Sequence, residues 1–498
     1  MSGSTIHHKA SEGHHALNRI RAMAPRLLVH AVPEALTLPI DRAFAAVHGY
    51  DDDVFWLDDH AGWSVFGAGI RWSAADPALP ALEAWLGNAV TPLPVDESDA
   101  LDGLAWRPGL VGWLEYGLTA ETMGAPVTSA ASGGTEADAP AAFLRVDRAV
   151  AVAPDGRMLL VAQGEGWDGA LGQWRDLVLE RLGNSGGADA DTDTDTDTDA
   201  GAGAGAGAQA EPAPASPPRA SDPVWRDDRD AYLAKVRACQ ESIRRGDAYV
   251  LNLTTEVVVD GVRQEPLDVF LRLRALAPTR HGGLIRIGGV GLISSSPESF
   301  LELDGRGGVA TRPVKGTRPR SSDPLRDRQL RDELAESPKE RAENTMIVDL
   351  MRNDLARVAR PGSVEVTALL EVESVRQVHQ LVSTVRARLA DGMGVAEVLR
   401  AAFPAGSMTG APKRSAVEIL DRLEGRARGV YSGAFGFIGA DGRAELAMTI
   451  RSIVLEGGGV GGGVARIGVG GGVTALSDPD EEYDEVLLKA RAMLEALV

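Results

Sequence analysis

The chain has 498 residues, 44% hydrophobic and 24% charged, enough for two or three soluble domains with sizeable cores. Its formal charge of −20 argues against a broad nucleic-acid surface, and no apolar run of about 18 residues is present to cross a membrane. A single cysteine, Cys239, excludes an intramolecular disulfide and predicts a reducing, cytoplasmic setting.

Residues 1–25 are polar, with His7, His8, His14 and His15 in no ligand pattern and no apolar core of a secretory signal, so a disordered tail is expected. Residues 26–183 read as an N-terminal α/β region. Phe55-Trp56-Leu57 and Trp63-Ser64-Val65-Phe66 predict short strands around an Asp58-Asp59-His60 turn, and Gly109 to Leu114 predicts another. Ala149 to Val152 and Met158 to Ala162 flank Pro154-Asp155-Gly156, a hairpin signal, and a helix is expected over Leu171 to Leu182. Residues 184–222 then carry Asp-Thr, Gly-Ala and Pro-Ala repeats that cannot bury a core, so a disordered linker is expected. The alternating aspartates lack the turn glycine and closing glutamate of a calcium loop.

Residues 223–498 carry the chemistry. A helix is expected over Arg229 to Arg245 and a strand over Tyr249 to Val259. The segment Arg312-Pro313-Val314-Lys315-Gly316-Thr317-Arg318-Pro319-Arg320 reads as a turn holding one lysine between prolines. Ser337-Pro338-Lys339-Glu340 is a capping box with proline at the first helical position. It should launch a helix to about Val358 with Met346, Leu350, Met351 and Leu355 on its apolar face. Asp478-Pro479-Asp480-Glu481 opens the final helix in the same way. There Glu482, Glu485 and Lys489 fall on one face, which in isolation is an ordinary solvated Glu–Lys arrangement.

Taken in order, Ser296-Pro297-Glu298, Pro313-Val314-Lys315-Gly316-Thr317, Arg341-Ala342-Glu343-Asn344, the run from Phe403 to Lys413, Tyr431, Arg451, Gly470-Gly471-Gly472 and Glu482 to Glu485 resemble the chorismate-utilising enzymes. These comprise anthranilate synthase component I, aminodeoxychorismate synthase component I, and the isochorismate and salicylate synthases. The resemblance covers residues 223–498, with an echo in Gly109 to Tyr116. It implies an α+β fold like anthranilate synthase component I, with two packed antiparallel β-sheets flanked by helices and both halves of the chain supplying strands.

The resemblance also implies the site. Glu343, Glu482 and Glu485 would hold Mg²⁺, an ion that prefers oxygen ligands and keeps several waters beside its substrate. Gly470, Gly471 and Gly472, with Arg451, would take a chorismate carboxylate, since backbone without Cβ atoms lets an anion approach its N–H groups. Tyr431, Gly316, Thr317 and Lys489 would complete substrate binding. Glu298 would be the general acid that helps expel the C4 hydroxyl.

Lys315 matches the aminodeoxychorismate branch, where anthranilate synthases typically carry alanine. Its amine would attack C2, expel the C4 hydroxyl, and be displaced by ammonia entering at C4. That requires an uncharged amine, for which a desolvated pocket and the like charges of Arg312, Arg318 and Arg320 are expected to help. Val250 stands where the water-adding branches carry a lysine base, so isochorismate and salicylate are not expected products. His379 and Gln380 depart from the usual histidine before Leu381-Val382-Ser383. Cys239 has no nucleophile-elbow setting, so ammonia is expected from a separate glutamine amidotransferase partner, with a separate lyase finishing 4-aminobenzoate for folate synthesis. The alternatives are an anthranilate synthase component I, a catalytically silent binding or regulatory homologue, and the same chemistry in a secondary-metabolite pathway.

Overall fold

The computed structural model describes residues 26–49, 51–73, 78–89, 101–124, 127–128, 140–186, 221–375 and 378–498; the expected tail (1–25) and residues 187–220 of the expected linker lie outside them. Two antiparallel sheets, one of 12 and one of 10 strands among the described residues, pack face to face. The first sheet takes Val54–Asp58 from the first half of the chain and sets it between Ser64–Ala68 and, from the second half, His281–Ile287. The second sheet likewise sets Gly109–Leu114 beside Ala434–Gly439. Residues before and after 187–220 therefore share both sheets.

Strand alternation explains why these segments read as nearly continuous apolar runs. Phe55 and Val65 point into the layer between the sheets, with Val111, Trp113, Phe435 and Phe437 of the other sheet. Their neighbours Trp56 and Phe66 point outward, under a helical layer that includes Phe44, Tyr232, Phe270 and Met493. The outer face of the second sheet is covered in turn by Leu79, Leu82, Ile347, Val348, Met351 and Leu399. A strand buried on both faces keeps no polar stripe, as the sequence shows.

The helix starts follow their capping signals. Ser337 accepts the Glu340 N–H at 3.4 Å at the head of Pro338–Ala356, and Asp478 accepts from Asp480 and Glu481 at the head of Pro479–Ala496. The apolar face of Pro338–Ala356 differs from expectation. Ile347, Val348, Met351 and Leu355 are buried, while Met346 and Leu350 lie half-buried at the border. The reason is that Glu343 and Asn344 are themselves buried on that face, so the inward stripe begins on polar residues.

One buried ion pair ties the second half of the fold together. Arg428 donates to Glu424 at 2.7 and 2.8 Å, to the Met408 carbonyl at 2.7 Å and to the Asn252 carbonyl at 3.0 Å. Its guanidinium also lies 4.5 Å from the centre of the Tyr116 ring, and Glu424 accepts the Thr254 N–H at 3.0 Å. Arg428→Ala would strand the Glu424 charge in the core, and is expected to cost about 3–5 kcal/mol in denaturant unfolding. An unchanged unfolding midpoint would show that the pair is not what holds these segments.

Candidate active site

A cleft of about 370 Å³ opens where the strand Gly463–Val473 outruns its neighbour. Ser452–Gly457 pairs with that strand only as far as Arg466, so among the described residues the edge of 467–473 on that side has no strand partner. Glu298, Lys315, Gly316, Thr317, Glu343, Tyr431, Arg451, Gly470, Gly472, Glu485 and Lys489 all line this cleft. Gly471 and Glu482 do not. A Cβ on Gly471 would sit 3.0 Å from the Glu482 carboxylate and 3.7 Å from Lys489 Nζ.

Lys315 is on a strand, not in a turn. Val314–Pro319 pairs with Val378–Arg388, and its register slips between Lys315 and Thr317. Gly316 absorbs the slip at φ +77°, a left-handed conformation that glycine adopts without strain. A Cβ there would also strike Leu334 at 2.7 Å and Glu340 at 2.9 Å. The bulge aims half-buried Lys315 into the cleft.

The charges around Lys315 differ from the sequence expectation. Arg312 is bound by Glu373, Arg318 by Glu340 at 3.8 Å and Arg320 by Asp327 at 2.9 Å, so each guanidinium is already neutralised. The groups that feel Lys315 are carboxylates: Glu298, Glu343 and Glu485. Burial pushes Glu298 above its ordinary range, against the pull of Lys315 and a hydrogen bond with Ser407. A carboxyl poised in this way can exchange a proton with the amine beside it.

The acidic end of the cleft joins two helices. Glu343 from Pro338–Ala356 and Glu485 from Pro479–Ala496 line it, and Glu482 of the latter helix stands near Glu343 outside the lining. Burial raises Glu343, while Glu485 is held low against its burial by Lys489, 2.7 Å away. Among the described residues, no three acidic, histidine or cysteine side chains converge tightly enough to cage a metal alone. The oxygen-only donor set nevertheless fits Mg²⁺, which commonly uses one or two carboxylates and completes its shell with water and substrate.

The opposite end suits an anion. Among the described residues the Arg451 guanidinium has no ion-pair partner, although Glu485 and the Tyr431 hydroxyl stand near it. Arg451 itself holds φ +51°, an unfavourable conformation for a side chain other than glycine. Burial pushes the Tyr431 hydroxyl up to about 12, so it stays a donor. The Tyr431 ring lies directly against Gly468, where a Cβ would come within 2.1 Å of the ring. Gly468→Ala is therefore expected to displace the ring, costing about 1–3 kcal/mol of stability and weakening ligand affinity. A melting curve and ligand titration matching the native protein would reject that packing.

Other residues settle points the sequence left open. His379 is buried outside the cleft, with Nδ1 2.7 Å from Ser374 and Nε2 3.1 Å from Asp327, while adjacent Gln380 lines the cleft. His379 thus does not stand in for the missing histidine. Val250 lies in a small recess shared with Lys315 and Glu343. Burial pushes the Cys239 thiol up to about 12, the opposite of what a nucleophilic cysteine needs. Sequence reasoning gave no role to Asn252, a buried amide lining the cleft whose Nδ2 has no hydrogen-bond partner among the described residues. It also missed Ser407 and Lys339. Their signals were present, since Ser407 lies inside the Phe403-to-Lys413 run and Lys339 inside the capping box.

A protein-family model described as chorismate binding enzyme matches residues 56–495. The aminodeoxychorismate synthase of Streptomyces griseus is 45% identical over 272 residues, 55% of this chain and 37% of that protein. The anthranilate synthase component 1 of Streptomyces coelicolor is 44% identical over 267 residues, 53% of this chain and 51% of that protein. The match thus spans about half or less of each relative's length. The crystal structure of anthranilate synthase component I from Streptococcus pneumoniae shares the fold, with a TM-score of 0.65 at 23% identity over 94% of this chain and 92% of that one. No helix among the described residues is long and apolar enough to cross a membrane.

Proposed function

The chain belongs to the chorismate-binding enzyme family, and within it we propose that it acts as an aminodeoxychorismate synthase component I. In this reading it converts chorismate and ammonia to 4-amino-4-deoxychorismate, with ammonia delivered by a glutamine amidotransferase partner. The observation that carries the proposal is a bulge-aimed lysine, Lys315, sharing one cleft with the raised carboxyl of Glu298.

The steps follow from that pair. A proton passes from the Lys315 ammonium to the Glu298 carboxylate, making a neutral amine and a carboxylic acid at once. The amine bonds to C2 as both conjugated ring double bonds shift and the C4–O bond breaks. Glu298 returns its proton to the departing oxygen, which leaves as water. Ammonia then bonds to C4, both double bonds shift back, and the C2–N bond to Lys315 breaks. The new ammonium gives its extra proton to Lys315, restoring the starting pair.

Arg451, Tyr431 and the open edge at Gly470 and Gly472 orient the substrate. Glu343, Glu485 and Glu482 would hold Mg²⁺, which supplies positive charge to a substrate carboxylate when bound. Val250 offers no base to activate water.

Incubation with chorismate, Mg²⁺ and ammonia tests the product directly. 4-Amino-4-deoxychorismate is expected, as a species that yields 4-aminobenzoate only when a lyase is added. Fluorescent anthranilate without a lyase would overturn the proposal and favour the anthranilate synthase reading.

A further inference from the structure

Lys339 belongs to none of the steps above, yet it sits among all three acidic groups. Its Nζ is 3.3 Å from Glu482 Oε1, and it interacts electrostatically with Glu343 and Glu485 as well. The two partners differ in freedom, since the Lys339 side chain is 45% exposed and that of Glu482 only 2%. The second lysine of the cluster is anchored differently. Lys489 donates to the Gly470 carbonyl at 2.7 Å as well as to Glu485 at 2.7 Å.

Lys339 also lies in the first turn of Pro338–Ala356, where the helix dipole disfavours a cation. Its ammonium donates to Glu482, so the carboxylates, not its own helix, keep it there. Without a cation, two buried or half-buried glutamates would face each other across the helix pair at considerable electrostatic cost.

We propose that Lys339 is a resident counter-cation that neutralises the Glu343–Glu482–Glu485 cluster before metal arrives and must be displaced when a divalent cation binds. The inference rests on the magnesium reading of that cluster. The Lys339 ammonium and Mg²⁺ would compete for the Glu482 oxygens, because repulsion between the two cations acts in a poorly hydrated space. The exposed side of the Lys339 stem gives the ammonium a route into solvent, whereas Lys489 stays tied to the strand carbonyl. Lys339 therefore weakens metal binding to the free protein while it keeps the metal-free cluster closed.

The test is a titration of the full chain with Mg²⁺, and with Mn²⁺ as a spectroscopic probe, without chorismate. Lys339→Gln is expected to tighten metal binding by roughly tenfold, as removal of one competing charge should. The same variant should melt at a lower temperature than native protein without metal and recover that loss when metal is added. Lys339→Arg keeps the charge and should keep the weak affinity. Unchanged or weaker metal binding in Lys339→Gln overturns the proposal. Glu485→Gln separates the two layers: if it abolishes metal binding while Lys339→Gln brings no gain, the displacement fails and the magnesium reading stands. Absence of metal binding in native protein and every variant overturns both.

Discussion

Lys315→Ala should lose C4 amination by about 10³-fold or more, as expected when a nucleophile that acts with its acid partner is removed. Chorismate and metal binding should survive, because Arg451, Tyr431 and the three glutamates do not depend on the lysine for their positions. One electrostatic change is also expected. Lys315 lowers Glu298, so its loss lets burial push that carboxyl further up. The variant is thus expected to bind substrate beside a protonated Glu298 and stop there. Mass spectrometry of quenched reactions without ammonia supplies a second readout. Native protein should carry a substrate adduct on the peptide containing Lys315, and the variant none. Amination of C4 at the native rate by Lys315→Ala would eliminate covalent catalysis.

Glu298→Gln should reduce turnover by about 10²–10⁴-fold, the range for loss of a positioned acid or base. Its pH profile is more diagnostic than its size. The working pair shares one proton, so at low pH both partners are protonated and the amine stays charged. Because burial raises Glu298, the low-pH loss of native activity should set in above the pH of an ordinary carboxylate and recover as pH rises through that raised value. Glutamine cannot titrate, so this limb should disappear in the variant. A low-pH limb that persists unchanged would assign it to another group and remove Glu298 from the proton path.

Most of the cleft was legible because its residues lie in compact runs whose order survives along the chain. Strand and helix starts were legible for local reasons: Asp478 and Ser337 cap the helices they precede. What escaped the sequence depended on contacts between distant segments. The arginines near Lys315 looked like a cluster of like charges, but Glu373, Glu340 and Asp327 come from other elements to claim them. The lysine segment read as a turn because Pro313 and Pro319 punctuate it, and only the partner strand Val378–Arg388 shows it to be a bulged ladder. Asn252 carries no local mark at all. Its amide matters because the fold buries it at the cleft without a hydrogen-bond partner among the described residues.

The sharing of strands between the two halves bears on how the protein comes to fold. Gly109–Leu114 pairs with Ala434–Gly439, and Val54–Asp58 with His281–Ile287, so the central ladders join residues hundreds of positions apart. Such high contact order slows folding and leaves early strands with exposed edges during synthesis. Glu485 and Lys489 reside on the last helix, Pro479–Ala496. The acidic end of the cleft therefore needs residues translated well after the strand that carries Lys315. A molecule synthesised only as far as Ala434–Gly439 would carry the lysine strand and Glu343 without Glu482 and Glu485.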